Sequence, residues 1–244
     1  RIVSFIPNLK YEKLIWISNK ELLPLMKNIE FIDRTYPLNQ SSKKMDASFT
    51  INLFEKRKNR KNCLYIKNFF SKNKNIKDNT QDIYKKLANY FKFKNYKIFT
   101  NKKSISMKKY DFFLNWIVPP KWKIKEYPME KWIRLCKLLK RNNKKVIWQK
   151  PNDSLSQYVN KITRSKNVIS IVGLGCHIST LYGIPTVIIS GPTYYNEAKY
   201  HKQVKIVFPN VPCKYTPCKS KKLKKHCGNM KHIDVKEIIK NINL

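Results

Sequence analysis

The sequence predicts an open α/β sheet, and three observations carry that expectation. Apolar runs of strand length alternate with segments of helical spacing along the chain. Four of the five glycines (Gly173, Gly175, Gly183, Gly191) fall between Ser170 and Thr193. Within that stretch, residues 168–172 read as a strand, Gly173 to Gly175 as a turn, residues 176–182 as a short helix, and residues 186–190 as the next strand. Strand, glycine-rich turn, helix, strand is the layout of a phosphate-binding βαβ unit. The competing reading is an ordinary crossover with a tight turn.

The remaining elements follow the same alternation. Residues 14–17 and 29–32 read as short strands, with a brief helix over 20–27 capped by Asn19 and limited by Pro24. Residues 47–54 read as a further strand, followed by a basic loop over 55–62 and another apolar run over 63–66. Residues 80–93 have helical spacing, with Ile83, Leu87, Tyr90 and Phe91 on one face. A polar, basic stretch over 101–109 marks the expected boundary between a domain of residues 1–109 and one of residues 110–244.

The second domain opens on the apolar strand 110–118, which ends at Pro119 and Pro120. Pro128 suits the first turn of a helix whose core stripe is Trp132, Leu135, Cys136 and Leu139. Residues 146–148 are a strand, Asp153 is the expected cap of a helix through Arg164, and the glycine segment follows. A strand over 204–208 and a closing helix capped by Asp234 complete the order β-α-β-α-β-α-β-β-α.

Composition narrows the function classes. With 244 residues, 42% of them hydrophobic, the chain can bury a core large enough for one or two domains. It holds no apolar run long enough for a membrane-spanning helix and no secretory leader. It opens on Arg1 rather than Met, which leads us to expect an earlier start. The net charge of +37 attracts anionic partners, yet lysine is spread along the chain together with Asn and Ile, and few of the cations are Arg. That is the pattern of an AT-rich genome, so we read compositional drift as its main cause. Nucleic-acid binding is the competing class; it rests on charge and aromatics alone, without a recognisable binding motif.

The site expected from the residues centres on the turn. Gly173 and Gly175 let the backbone approach a bound group, and amides opening the helix at Leu174, Gly175 and Cys176 favour an anion. His177, in the first turn, is either a neutral donor facing the turn or a packed side chain. No third glycine completes a dinucleotide fingerprint, because Ile178 stands in its place.

The run from Ser154 to Thr193 resembles the second domain of glycosyltransferase family 9, the heptosyltransferases. Residues 154–162 resemble that family's helix, and His177 matches its histidine. Gly183 and Pro185 match its GxP element; Gly191, Pro192 and Thr193 match its GPT. Lys125, Tyr127 and Pro128 resemble the upstream KxWP, with Tyr127 in place of Trp, and Trp132 and Leu135 fit the helix after it. The resemblance implies a GT-B-like fold of two Rossmann-like domains, with the sugar nucleotide held mainly by the second. It implies inverting, metal-independent transfer of a heptose-like sugar from an ADP-sugar to a lipopolysaccharide core or related glycan. It implies no cofactor beyond that donor, and a cytoplasmic enzyme lying peripherally on the anionic inner-membrane surface. Lys125 and the Gly173–His177 turn, with Thr193, become the donor-binding residues.

The chain departs from the family in two places. The family's turn is Asp-Ser/Thr-Gly-x-x-His, and here Val172 stands at the Asp; no carboxylate lies from Lys161 to Tyr195. The family's N-terminal Gly-rich loop with its acidic residue has no counterpart, so the first domain is expected to be incomplete. No general base is assigned; Asp33, Asp46 and Glu197 read as surface carboxylates. Cys213, Cys218 and Cys227 resemble the family's cysteine-rich tail. The alternative is a closed zinc site made by those three with His232, although the spacing fits no standard finger.

Overall fold

Every described strand in the second half of the chain runs the same way, because each is joined to the next by a crossover or a long connection. The computed structural model describes residues 6–8, 14–37, 50–52, 63–65, 88, 92–95, 97, 100–101, 107–192, 203–211 and 229–242. In the first half, β1 (Ile15–Ser18) pairs in parallel with β2 (Arg34–Pro37), and β3 (Thr50–Asn52) with β4 (Cys63–Tyr65). In the second half, β5 (Tyr110–Asn115), β6 (Val146–Trp148), β7 (Ser165–Ile171), β8 (Thr186–Ile189) and β9 (Val204–Val207) form one parallel sheet. Its order is β6-β5-β7-β8-β9. The chain moves outward to one side of β5 and then to the other, so the direction of winding reverses between β5 and β7.

Such a sheet is buried on both faces and its strands are near-continuous apolar runs. Phe113, Leu114, Val168 and Ile169 are all fully buried. On one face lie α2 (Met129–Arg141) and α5 (Val235–Lys240), packed over Phe112, Leu114, Ile169 and Ile171 through Trp132, Leu135, Leu139 and Ile238. On the other face lie α3 (Leu155–Thr163) and α4 (Leu174–Leu181), meeting Phe113 and Val168 through Tyr158, Ile162 and Ile178. Tyr182 caps the end of helix α4, and Gly183 follows at φ 65°, the left-handed conformation that glycine adopts without strain just past a helix end.

The first half docks on the α3–α4 face. The single helical turn α1 (Leu23–Met26) and the residues after it place Leu25, Met26, Ile29 and Ile32 in the same buried cluster as α3 and α4. Asn101 locks this junction from within. Its backbone N–H donates to the Leu181 carbonyl, its side-chain amide donates to the Asn28 carbonyl at 2.8 Å, and its side-chain oxygen accepts from the Glu30 N–H at 3.2 Å.

The order β-α-β-α-β-α-β-β-α is observed in the second half. Four local expectations are corrected. Residues 29–32 are not a strand; Ile29 and Ile32 are apolar because they plug the α3–α4 face, and the strand is Arg34–Pro37. Asn19 makes no side-chain cap, and Pro24 sits at the start of α1 rather than limiting it. The strand of 110–118 ends at Asn115, after which the chain turns toward Pro119. Ser154, not Asp153, caps α3: its hydroxyl accepts from the Gln157 N–H while the Gln157 side chain accepts from the Ser154 N–H. Asp153 instead pairs with Lys161 at 2.6 Å. The helix expected over 80–93 lies almost wholly outside the described residues.

Candidate functional site

In an open parallel sheet the strands' carboxyl ends carry the ligand, in the crevice where winding reverses. That crevice here lies between the ends of β5 and β7. Two segments leave it. After β5 the chain makes a short 3-10 segment, Pro120–Lys125, before α2; after β7 it turns through Val172 and Gly173 into α4. The two are joined by Lys125. Its ammonium donates to the Val172 carbonyl at 3.5 Å and lies 4.6 Å from the centre of the Trp122 indole, a cation–π distance. Lys125 is half-buried, so its charge is held at the crevice by two partners rather than swinging in solvent.

Beneath the turn is a buried polar network. Asn115, the last residue of β5, is in register with Ser170 of β7. The Asn115 amide donates to the Ser170 hydroxyl at 2.6 Å, and the Tyr158 hydroxyl donates to the Asn115 side-chain oxygen at 2.7 Å. Burial pushes the Tyr158 phenol well above its ordinary range, so it stays a hydrogen-bond donor. This network explains Gly175. A Cβ there would collide with the Tyr158 hydroxyl and come within 2.5 Å of the Asn115 amide. Gly175 is glycine because α4 sits down on these two side chains. Gly173 differs, with nothing within 4 Å of the space its Cβ would take.

The other expected residues fall around the same turn. Leu174 is 52% exposed beside it. Cys176 is fully buried against Val172 and Ile188, and its thiol donates to the Gly173 carbonyl at 2.9 Å, which holds the turn closed. His177 is half-buried in the first turn, and its N–H points at the Gly173 carbonyl at 3.4 Å. Val172, at the position where the family has Asp, is a packed core residue. Gly191 lies two residues past β8, where a Cβ would strike the Met230 sulfur and force that side chain to move.

Asp33 is engaged elsewhere, its carboxylate accepting from the Leu14 N–H at 2.6 Å. Thr193, Asp46, Glu197, Cys213, Cys218 and Cys227 lie outside the described residues; His232 is exposed in the Asn229–His232 turn. Among the described residues no cluster of His, Cys, Asp or Glu could hold a metal, and no helix is long and apolar enough to cross a membrane.

The sequence reasoning missed Asn115, Ser170 and Tyr158. Asn115 and Ser170 are each a polar residue interrupting an apolar strand, and that interruption was the available signal.

No protein-family model matches the sequence, and no curated protein matches it significantly. Solved structures do match. A glycosyl transferase family 9 protein from Veillonella parvula DSM 2008 superposes with a TM-score of 0.64 at 11% identity, covering 94% of this chain and 87% of that one. The ADP-heptose lps heptosyltransferase II of E. coli superposes with a TM-score of 0.63 at 10% identity, covering 97% of this chain and 90% of that one. At such identity the likeness speaks for the backbone arrangement alone, and it extends over both halves of the chain. The fold is therefore the GT-B-like fold of the glycosyltransferase family 9 heptosyltransferases.

Proposed function

We propose that the chain is a glycosyltransferase that holds a nucleotide-sugar donor in the crevice between β5 and β7. The observation that carries this reading is the Lys125 ammonium fixed to the β7–α4 turn at the point where winding reverses. A diphosphate seated there meets a point charge from Lys125 and the amides of Leu174 and Gly175, which helix geometry leaves without intrahelical acceptors. These groups stabilise the negative charge that accumulates on a departing nucleoside diphosphate, which is the electrostatic part of glycosyl transfer. In this reading the donor is an ADP-sugar and the sugar is heptose-like. The acceptor is a lipopolysaccharide core or related glycan at the cytoplasmic face of the inner membrane, and transfer proceeds with inversion and without metal. Thr193 is an additional donor contact.

Calorimetry with ADP and an ADP-sugar tests the site. The full chain is expected to bind both, equally well with and without a chelator. Lys125→Ala removes one charge-assisted contact and weakens binding roughly ten- to a hundredfold. No binding at millimolar ligand rejects the donor site, and a requirement for divalent cation rejects the metal-free mechanism.

A second reading, a nucleotide or glycan binder without turnover, is favoured by one observation. The turn brings no carboxylate: Val172 is buried where the family places Asp, and inverting transfer needs a general base within reach of the acceptor hydroxyl. Measuring ADP release from an ADP-sugar in the presence of acceptor separates the two.

A further inference from the structure

The connection that leaves β5, residues 116–125, carries two of the chain's five tryptophans. Trp116 is held in place: its indole N–H donates to the Gln149 carbonyl at 3.0 Å, and its ring meets Trp148 edge-on at 6.4 Å. Trp148 packs in turn on Trp132, so three indoles belong to the core beneath α2. Trp122 stands outside that cluster. It is 40% exposed at the crevice, with the Lys125 ammonium against its ring. An AT-rich genome works against tryptophan, whose single codon is TGG, so drift does not account for an indole left in water. Exposed indoles are characteristic of binding surfaces, where a ligand supplies the contact that the core does not.

The surroundings of the ring narrow the ligand. The ammonium that lies on Trp122 also reaches the Val172 carbonyl, so the indole and the β7–α4 turn both border the place of the proposed diphosphate. On the turn, Leu174 is a second apolar side chain left exposed. An anion site bordered by an exposed indole suits a nucleotide, because every nucleobase has a face that stacks on an aromatic ring. Telling one base from another takes hydrogen-bonding side chains aimed at its edge. The two segments that frame the crevice, residues 116–125 and 172–176, hold no Asn, Gln, Asp, Glu, Ser or Thr. Gln149, which follows β6, has its side-chain oxygen occupied by the Ile117 N–H at 3.2 Å.

We propose that Trp122 stacks on the nucleobase of the nucleoside diphosphate in the crevice, and that the site prefers a purine for its larger face without telling adenine from guanine. Lys125 lies over one face of the indole, and the base takes the other. Adenine is then accepted rather than selected. This stack rests on the donor reading of the crevice and extends it from the diphosphate to the base.

Calorimetry on the full chain with ADP, GDP, UDP and ribose 5-diphosphate, which is ADP without its base, tests it. ADP and GDP are expected to bind within about threefold of one another, and UDP several times more weakly. Ribose 5-diphosphate should bind about tenfold or more below ADP. Trp122→Ala lowers the affinity for ADP and GDP about tenfold or more and leaves that for ribose 5-diphosphate within about threefold. Trp122→Phe keeps a stacking face and most of the affinity. Lys125→Ala weakens all four ligands alike, since it acts on the diphosphate they share. Urea midpoints confirm that each variant is folded. An equal loss for ADP and ribose 5-diphosphate in Trp122→Ala overturns the proposal, because it reduces the indole to a prop for Lys125. So does unchanged ADP affinity in that variant, or a wild type that binds GDP more than about tenfold below ADP. A wild type that binds ADP no tighter than ribose 5-diphosphate rejects the stack and leaves the diphosphate site standing. Binding of neither rejects the donor site itself, and the stack with it.

Discussion

A side chain at position 173 would project into open space, whereas one at position 175 would strike the Tyr158 hydroxyl and the Asn115 amide. Two glycines in one turn are thus glycine for different reasons, and a matched pair of substitutions separates folding from binding. Gly175→Ala forces α4 off a network whose members are buried and hydrogen-bonded to one another, so neither neighbour can move without leaving a partner unsatisfied. It is expected to lower stability by about 1–3 kcal/mol in urea unfolding. Gly173→Ala meets no atom, and the backbone there is extended (φ 174°), a conformation open to any residue. Its urea midpoint should match the wild type within about 0.5 kcal/mol. Its affinity for ADP should fall, because the added methyl occupies the space the proposed diphosphate needs. Unchanged ADP affinity in a folded Gly173→Ala variant would move the ligand away from this turn.

At the scale of an element, helix α3 shows how one misassigned residue changes an energetic prediction. Read as a cap, Asp153 would contribute about 1 kcal/mol, and Ser154 would matter little. The structure exchanges these roles. Ser154→Ala opens a capping box and is expected to cost about 1 kcal/mol. Asp153→Ala leaves the Lys161 ammonium, whose side chain is only 15% exposed, with the Trp148 carbonyl at 3.5 Å as its remaining partner among the described residues. It also removes the acceptor of the Lys150 N–H, and is expected to cost about 3 kcal/mol. Adding Lys161→Met to Asp153→Ala should recover most of that loss, and chemical denaturation of the four proteins closes the cycle. Both acceptors stood side by side in the sequence; a Gln three residues after Ser154 was the signal that favoured the serine. The strands and helices of the second half were legible because period and burial agree there: α2 buries the four residues its 3.6 spacing selects. Residues 29–32 were not legible as a plug, since a short apolar run looks the same whether it lies in a sheet or fills a gap between elements. The turn and Lys125 were visible as separate motifs. Their meeting was not, because it depends on a reversal of strand order that no local pattern encodes.

Across the whole molecule, buried phenols lie on opposite faces of the same sheet, Tyr127 on one and Tyr158 and Tyr182 on the other. Tyr127 packs edge-to-face on Trp132 under α2, its ring centre 5.5 Å from the indole, and its hydroxyl donates to the Ile233 carbonyl at 3.2 Å. Tyr158 lies under α4 on the other face and donates to Asn115. Burial raises both, with the charge of Asp234 adding to Tyr127 and those of Cys176 and Asp153 adding to Tyr158. In the unfolded chain each titrates near 10. Between that value and the raised folded value the unfolded state has lost protons that the folded state retains, so stability falls as pH rises. The contribution is therefore complete below about pH 10 and is lost above it, first to the unfolded chain. One sheet holds both rings in place, so neither should ionise before the sheet opens. Tyrosinate absorbance followed against pH, with far-ultraviolet circular dichroism on the same samples, is expected to show an ordinary phase from exposed tyrosines near pH 10. A late, steep phase should then coincide with loss of helix signal. Tyr127→Phe and Tyr158→Phe should each reduce the late phase, and the double variant should leave only the part carried by Tyr182, a third buried phenol that burial also raises. If either phenol ionises in the ordinary phase with the dichroism unchanged, its side of the sheet is open to water, and the sheet does not unfold as one unit.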